Sequence, residues 1–193
     1  MTVKRPARRS ERSRQAILSA ATELVAEVGF PKLTIEAIAA RAGVGKQTIY
    51  RWWPSKGAVV FDAMLSQMAE DGDLSLPDSG DLATDLRLLL RQTVAEMGAP
   101  GFQASGRAMT TEIQSDPALA TEYRERLLGP NLEATKRRLR SAQEAGQVAA
   151  DVDLDVAVEL LFGPIYYRWL LRLGPLDDDY ADKVTDFALS ALR

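Results

Sequence analysis

Residues 46–56 combine side chains that can hydrogen-bond to DNA bases with side chains that can neutralise phosphate. The segment reads KQTIYRWWPSK and follows Gly43-Val44-Gly45. In the major groove of DNA, a lysine suits guanine O6 and N7, and a glutamine suits adenine N6 and N7. These residue types at the start of a short helix predict base recognition rather than catalysis.

Catalytic chemistry has few candidate residues, because the chain contains neither cysteine nor histidine. Their absence excludes disulfides, thiolate nucleophiles, the common zinc sites and an imidazole base. We therefore predict no enzyme activity, no cofactor and no metal site. The alternative is a helical protein that only binds small molecules, or an enzyme that uses carboxylates such as Glu112 or Glu159.

One acidic cluster has the spacing of a calcium-binding loop but not its other residues. Asp151, Asp153 and Asp155 alternate, yet Val156 stands where such a loop needs glycine and Phe162 where it needs glutamate. We interpret the aspartates as helix caps.

The elements that would position residues 46–56 are two short helices within residues 33–56, LTIEAIAARAGVGKQTIYRWWPSK. Gly43 suits the positive φ that the turn between them requires. The packing positions carry apolar or small side chains, namely Ile38, Ala39, Val44, Ile49 and Trp52. This pattern predicts a DNA-binding helix-turn-helix. A helical hairpin with no role in DNA binding would need the same small residues and is the alternative.

The charge distribution favours the first interpretation. Residues 1–56 hold eleven Lys or Arg against four Glu, a balance of +7, whereas the whole chain carries −3 and the remainder therefore −10. Cationic side chains supply the part of DNA affinity that does not depend on sequence, and an acidic body repels DNA elsewhere. A solvated basic tail is the alternative explanation.

The same stretch resembles the signature of the TetR family of transcriptional regulators. The matching residues are Leu33-Thr34, Ala42-Gly43-Val44, Tyr50 and Trp53-Pro54-Ser55-Lys56, and residues 161–168 with 174–176 resemble one subgroup of TetR regulatory domains. The resemblance implies a homodimer that binds palindromic double-stranded operator DNA. It also implies a repressor that releases its operator when a small-molecule effector binds the C-terminal domain.

Geometry and resemblance together suggest roles for eight residues. Lys46 and Gln47 would reach base edges, and Thr48 and Tyr50 would touch a base methyl group or a phosphate. Thr34, Arg51, Trp52 and Lys56 would hold the DNA backbone. Gln47 and Trp52 depart from the residues that are common in the family at their positions, which favours an unusual operator preference.

Hydrophobic periodicity predicts an all-α fold of about nine helices, with a DNA-binding domain at 1–56 and a regulatory domain at 57–193. The first helix would run from Ser10 or Ser13 to Gly29. A long helix would run from 117 to 146 with a kink at Pro130, and two apolar helices would span 153–173 and 177–192. Without a membrane-spanning apolar run or a signal peptide, we expect a cytoplasmic protein with no membrane partner.

Two further sets of candidates come from the C-terminal part. Soft or aromatic side chains that could line an effector pocket are Met68, Phe102, Met109, Tyr123, Tyr166 and Trp169. The last two helices are unusually apolar, which predicts a dimer interface. Its candidate residues are Phe162, Ile165, Leu173, Phe187 and Leu192.

Overall fold

A computed structural model describes residues 5–71 and 76–193, with side chains for 10–69 and 76–193. The described residues form helices and connecting segments without a β-strand, which confirms the all-α fold class. None of the helices in these ranges is long and apolar enough to cross a bilayer.

The helices follow one another along the chain with short connections. Their bounds are α1 Arg5–Val28, a 3-10 turn Phe30–Lys32, α2 Ile35–Ala42, α3 Lys46–Tyr50, α4 Lys56–Asp71, α5 Leu82–Gly98, α6 Pro100–Ser115, α7 Pro117–Tyr123, a π-helical turn Arg124–Leu128, α8 Gly129–Glu144, α9 Leu154–Leu171 and α10 Asp178–Ala191.

Several boundaries follow from capping residues. Asp81 precedes α5 and accepts from the amide of Ala83, while Asp177 precedes α10 and accepts from that of Tyr180. Asp153 accepts from the amides of Asp155 and Val156 at the start of α9, which confirms capping within the acidic cluster. Among the residues with described side chains, no group of three acidic residues is arranged to hold a metal ion.

The helix predicted from 117 to 146 with a kink at Pro130 consists of α7, the π-helical turn and α8, and the turn lies directly before Pro130. Two other predicted boundaries are wrong. Helix α1 begins at Arg5, upstream of both predicted caps, because alanine and arginine in residues 5–9 are strong helix formers. Helix α9 ends at Leu171 rather than near Gly174, because Arg172 adopts a left-handed conformation with φ 54°.

The helices pack into two compact units that do not follow chain order. The first contains α1–α4, α6 and α7, and the second contains α5, the π-helical turn and α8–α10. The predicted domain boundary after Lys56 falls within the first unit, at the start of α4. Packing therefore groups α4, α6 and α7 with the helix-turn-helix.

The first unit has a core in which α1 packs against α2 and α4. Its fully buried side chains include Ile17, Ile38, Ile49, Val59 and Phe61. Helix α4 also packs against α6 and α7, so the helix that follows the helix-turn-helix is held from both sides.

The second unit has its own apolar core, in which α10 packs along α5 and α9 packs against both. Leu86, Leu90, Leu139, Leu161 and Ile165 are fully buried there.

This core also contains an ion pair. Arg138 Nε on α8 lies 2.7 Å from Asp85 Oδ2 on α5, and both side chains are buried. The backbone amide and hydroxyl of Ser79 donate to the same carboxylate at 3.1 and 2.7 Å. Burial alone would raise the pKa of Asp85, but the hydrogen bonds from Ser79 and Arg138 lower it overall.

We expect Asp85→Asn to lower the free energy of unfolding by about 3 kcal/mol, because it removes the buried counter-charge of Arg138. The substitution leaves only the more exposed Asp78, whose Oδ1 lies 3.3 Å from Arg138 Nε. Urea denaturation followed by circular dichroism measures this loss. Because the folded pKa of Asp85 is lowered, the stabilisation is present above its unfolded pKa, about 3.9, and is lost as pH falls through the folded pKa. The deficit of the variant should shrink at such acidic pH.

Asp81→Asn is the matched control on the same helix. Asn is as good an N-cap as Asp, so we expect its unfolding midpoint to stay close to that of the wild type. Equal losses in both variants at neutral pH would contradict the assigned role of the buried pair.

Candidate nucleic-acid interface

The turn between α2 and α3 has the geometry that the sequence predicts. Gly43 adopts a left-handed conformation with φ 67°, which confirms the reason for a glycine there. The amide of Val44 donates to the carbonyl of Ala39 at 3.0 Å, and Ala39 is buried where the chain turns. The turn therefore provides a hydrogen-bond donor for a backbone carbonyl at the end of α2 and redirects the chain into α3.

Helix α3 contains only five residues, and it is anchored on one side. Ile49 is fully buried, whereas Lys46, Gln47 and Tyr50 are exposed and Thr48 is half-buried. The anchored side faces the unit's core, so the predicted base-reading side chains share the solvent-facing side.

The tryptophan that packs behind α3 is Trp53, not Trp52 as predicted. The exposed fraction is 4% for Trp53 and 39% for Trp52, and their ring centroids are 6.0 Å apart. Trp53 Nε1 donates to Asp62 Oδ2 on α4 at 2.9 Å, and Arg14 Nη2 on α1 donates to the same oxygen at 3.2 Å. Asp62 therefore connects α1, α4 and the end of the helix-turn-helix.

This arrangement leaves Trp52 available on the surface, where its predicted contact with the DNA backbone stays a prediction. Sequence reasoning missed the contacts of Trp53 and Arg14 with Asp62, because these residues are separated by 9 and 48 positions from it and no motif spacing links them.

Thr34 caps α2 at the exposed end of the helix. Its hydroxyl oxygen accepts from the amide of Ala37 at 3.1 Å, and its backbone is extended. The remaining free amides of the first turn carry partial positive charge. This geometry is compatible with the predicted phosphate contact.

Lys56 occupies a structural position that the sequence does not indicate. Its Nζ donates to the backbone carbonyls of Phe30 at 3.1 Å and Leu33 at 3.2 Å, and lies 4.4 Å from the centre of the Phe30 ring. The ammonium thus ties the start of α4 to the segment before α2. Its predicted contact with the DNA backbone stays a prediction.

Much of the positive charge of the first 56 residues is used within the first unit. Arg41 pairs with Glu27 at 2.8 Å and with Glu23 at 3.0 Å. The side-chain hydrogen bond from Arg41 lowers the pKa of Glu27, and the hydrogen bonds that Arg41 donates to Glu27 and Glu23 raise the pKa of Arg41. These contacts join α2 to α1 and balance the charge of Arg41.

Lys46 is also paired, although it lies on the solvent-facing side of α3. Its Nζ is 2.9 Å from Oε1 of Glu36, a residue in the first turn of α2. The hydrogen bond to Glu36 raises the pKa of Lys46, and that from Lys46 lowers the pKa of Glu36. The sequence gives no sign of this role for Glu36, because a separation of ten residues across a turn matches no helical spacing.

Arg51 follows α3 and is exposed. Among the residues whose side chains are described, neither Arg51 nor Lys32 forms an ion pair or side-chain hydrogen bond, in contrast to Arg14, Arg41 and Lys46. Arg51 and Lys32 are therefore two cations beside the helix-turn-helix whose charge no described carboxylate balances.

The predicted effector-binding residues are divided between the two units. Met68, Phe102, Met109 and Tyr123 belong to the first, where Met109 is fully buried and the other three are half-buried. Tyr166 and Trp169 belong to the second, with ring centroids 5.7 Å apart.

The alternative carboxylates are likewise divided, with Glu112 on α6 and Glu159 on α9. A Cβ added at Gly57 would lie 3.1 Å from Glu112 Oε2, so this carboxylate approaches the N-terminus of α4. The partial positive charge of that terminus favours a carboxylate there, which is a structural role.

The second unit carries an exposed apolar stripe on α9. Residues at successive helical turns are exposed along it: Val156, Leu160, Gly163, Tyr166, Tyr167, Leu170 and Leu171. Phe187 on α10 is 80% exposed, and Leu173 is also exposed. Two predicted interface residues, Ile165 and Leu192, are instead buried in the core of this unit, and Phe162 is half-buried against it.

The two parts of the chain match two family models. The model described as "Bacterial regulatory proteins, tetR family" matches residues 17–63, and that described as "Tetracyclin repressor-like, C-terminal domain" matches residues 76–188. The HTH-type transcriptional regulator YdeS of Bacillus subtilis (strain 168) is 35% identical over 197 residues, covering 100% of this chain and 94% of YdeS.

Two further similarities extend over nearly the whole chain. The DNA-binding transcriptional repressor TetR of Mycobacteroides abscessus (strain ATCC 19977) is 28% identical over 187 residues, covering 95% of each protein. The TetR family transcription regulator SCO0332, whose crystal structure is known, is 35% identical in sequence. Its structure superposes on 94% of this chain and 98% of its own length, with a TM-score of 0.72.

The distinction between the unpaired Arg51 and the paired Arg41 can be tested by replacing each arginine with glutamine. We expect Arg51→Gln to weaken binding to duplex DNA and to reduce the slope of log affinity against log salt by about 0.9, the value of one phosphate contact. Arg41→Gln removes the same charge but breaks the contacts with Glu23 and Glu27, so we expect a lower unfolding midpoint and a nearly unchanged slope. Fluorescence anisotropy at several salt concentrations measures both slopes.

Equal slope changes for the two variants would contradict this assignment, because they would mean that the paired and the unpaired arginine bind phosphate alike. Circular dichroism of both variants at each salt concentration establishes that only folded protein is compared.

Proposed function

Because this chain belongs to the TetR family of bacterial regulatory proteins, we propose that it represses transcription as a homodimer on palindromic operator DNA and releases that DNA when a small molecule binds. It is a helix-turn-helix DNA-binding transcriptional regulator. Family membership points to regulation rather than catalysis.

The observation that carries the proposal is the exposed side of α3. Gln47 and Tyr50 project from it beside the half-buried Thr48, while Ile49 fixes the helix against the core. The N-terminal residues of a recognition helix contact base edges in the major groove. Thr34, Arg51 and Trp52 flank this surface and would contact phosphates on either side.

Repression is supported by the similarity, over nearly the full length of this chain, to the DNA-binding transcriptional repressor TetR of Mycobacteroides abscessus. Effector release rests on the family resemblance. Effector binding would favour an arrangement in which two recognition helices no longer match successive major grooves, about 34 Å apart.

Within the first unit, α4 is the element placed to transmit such a change. It begins directly after the helix-turn-helix and packs against α1, α6 and α7. Met68, Phe102 and Tyr123 are half-buried side chains on α4, α6 and α7, and Tyr123 lies with its ring 5.6 Å from that of Phe61. These residues are the effector-contact candidates in that unit.

Homodimerisation would use the apolar stripe of α9 together with Phe187 and Leu173. An exposed face of this size on a regulator that binds palindromes is explained by a second copy of the chain, since a two-fold symmetric dimer matches a two-fold symmetric operator. Gly163 lies within the stripe with nothing within 4 Å of an added Cβ. A partner helix could therefore approach the backbone closely there.

DNA recognition is tested by sequencing the genomic fragments that the purified protein retains. The double variant Lys46→Ala, Tyr50→Ala should lose the specific complex, because it removes two side chains from the exposed side of α3, while its helicity and oligomeric state stay unchanged. A specific complex that survives in the double variant would refute the proposed reading surface. Failure of the wild type to retain any fragment at low salt would refute the proposed function.

The interface is tested by placing a charge on the exposed apolar surface. We expect Phe187→Glu to weaken dimerisation about tenfold or more, because the glutamate would be buried without a counter-charge between the copies. Leu88→Glu is the control, since Leu88 is an exposed apolar residue on α5 of the same unit. Sedimentation velocity over a concentration series measures both. A dimer that tolerates Glu at 187 as well as at 88 would rule out this surface.

A further inference from the structure

The ion pair between Glu36 and Lys46 lies on the surface that the proposed function presents to DNA. Lys46 is the first residue of α3, and Glu36 lies in the first turn of the preceding helix. Lys46 Nζ and Glu36 Oε1 are 2.9 Å apart, with exposed side-chain fractions of 54% and 62%. A carboxylate on such a surface is unexpected, because it repels phosphate.

Both members of the pair stay charged at neutral pH, and Lys46 is not the only group that stabilises the charged form of Glu36. Its pKa is lowered first by the hydrogen bond from Lys46 and then by one from its own backbone amide. The surface beside α3 therefore presents a donor and an acceptor at a fixed separation.

The major-groove edge of a G·C base pair presents the complementary arrangement. Guanine O6 is an acceptor, and the cytosine N4 amino group is a donor. These two atoms are joined by a Watson–Crick N–H···O hydrogen bond, whose length is about 2.9–3.0 Å. An ammonium and a carboxylate 2.9 Å apart can therefore meet them together.

We infer that Glu36 and Lys46 act as one unit that reads a single G·C base pair in each half of the operator. Lys46 Nζ donates to guanine O6, and Glu36 Oε1 accepts from the cytosine N4 amino group. The pair stays intact on binding, so neither charge loses its partner when water is excluded. This inference rests on the proposed function and names a specificity-determining residue, Glu36, outside the recognition helix.

An A·T pair offers a donor and an acceptor at the same separation, but its neighbouring groups are unfavourable. Adenine N7, an acceptor, lies beside the N6 amino group that Glu36 would contact and repels the carboxylate. Thymine carries a methyl group beside the O4 that Lys46 would contact. In guanine, by contrast, N7 lies beside O6 and gives the ammonium a second acceptor. The ion pair therefore favours G·C.

The test is selection of binding sites from a pool of random-sequence duplex DNA by the full-length protein. For the wild type we expect one position in each half-site at which G·C is preferred over A·T by about tenfold, the discrimination of a good base contact. Glu36→Ala should reduce that preference to about twofold or less and leave the other positions unchanged. Lys46→Ala should do the same.

The double variant Glu36→Ala, Lys46→Ala should lose no more preference than either single variant, because the two residues act as a unit. Glu23→Ala is the matched control, since it removes a carboxylate of the same unit that pairs with Arg41, which keeps Glu27. It should select the same sites as the wild type. Circular dichroism and binding to random duplex DNA establish that each variant is folded.

Three results would overturn the inference without touching the proposed function. Glu36→Ala could select the same base at every position as the wild type. Its effect could persist in full in the Lys46→Ala background, which would mean that Glu36 acts alone. Glu23→Ala could change the preference equally, which would indicate a general charge effect. A wild type that enriches no sequence would instead refute the proposed function itself.

Discussion

The burial of Ile49 is the interaction on which the DNA-binding surface depends. Helix α3 has five residues, far fewer than a helix needs to be stable alone in water. It exists because Ile49 is fully buried and α3 packs against α2, and because Gly43 permits the sharp turn that brings it there. Because Ile49 anchors the helix, the exposed side chains Lys46, Gln47 and Tyr50 are oriented towards solvent and are not needed for packing.

The contacts around Asp62 and Lys56 extend this arrangement to α4. Asp62 accepts hydrogen bonds from Trp53 and Arg14, and Lys56 binds two carbonyl groups in the segment before α2. Because polar contacts constrain direction more strongly than apolar ones, they fix the start of α4 relative to α3. A displacement of α4 would therefore also displace the recognition helix, α3.

The charge of the N-terminal part has two different uses. Arg41 and Lys46 are paired with glutamates, and Arg14 with Asp62, so their charges contribute to the packing of α1, α2 and α4 or to a fixed surface dipole. Arg51 and Lys32 have no such partners among the described side chains. The net charge of +7 thus describes the attraction of this part of the chain to DNA, but it overstates the number of cations free to bind phosphate.

The sequence by itself determined the all-α class, the helix-turn-helix with Gly43 at its turn, the family, and the capping role of Asp153, because each depends on local spacing or on residues close together in the chain. Only the tertiary structure decided which tryptophan packs inward, which cations are paired, and that Ile165 and Leu192 lie in a core instead of on a surface. An apolar stretch such as α9 gives no sequence signal for which side faces its own core. Likewise, Lys46 and Glu36, or Arg14 and Asp62, meet only because packing of the helices closes distances that the chain leaves open.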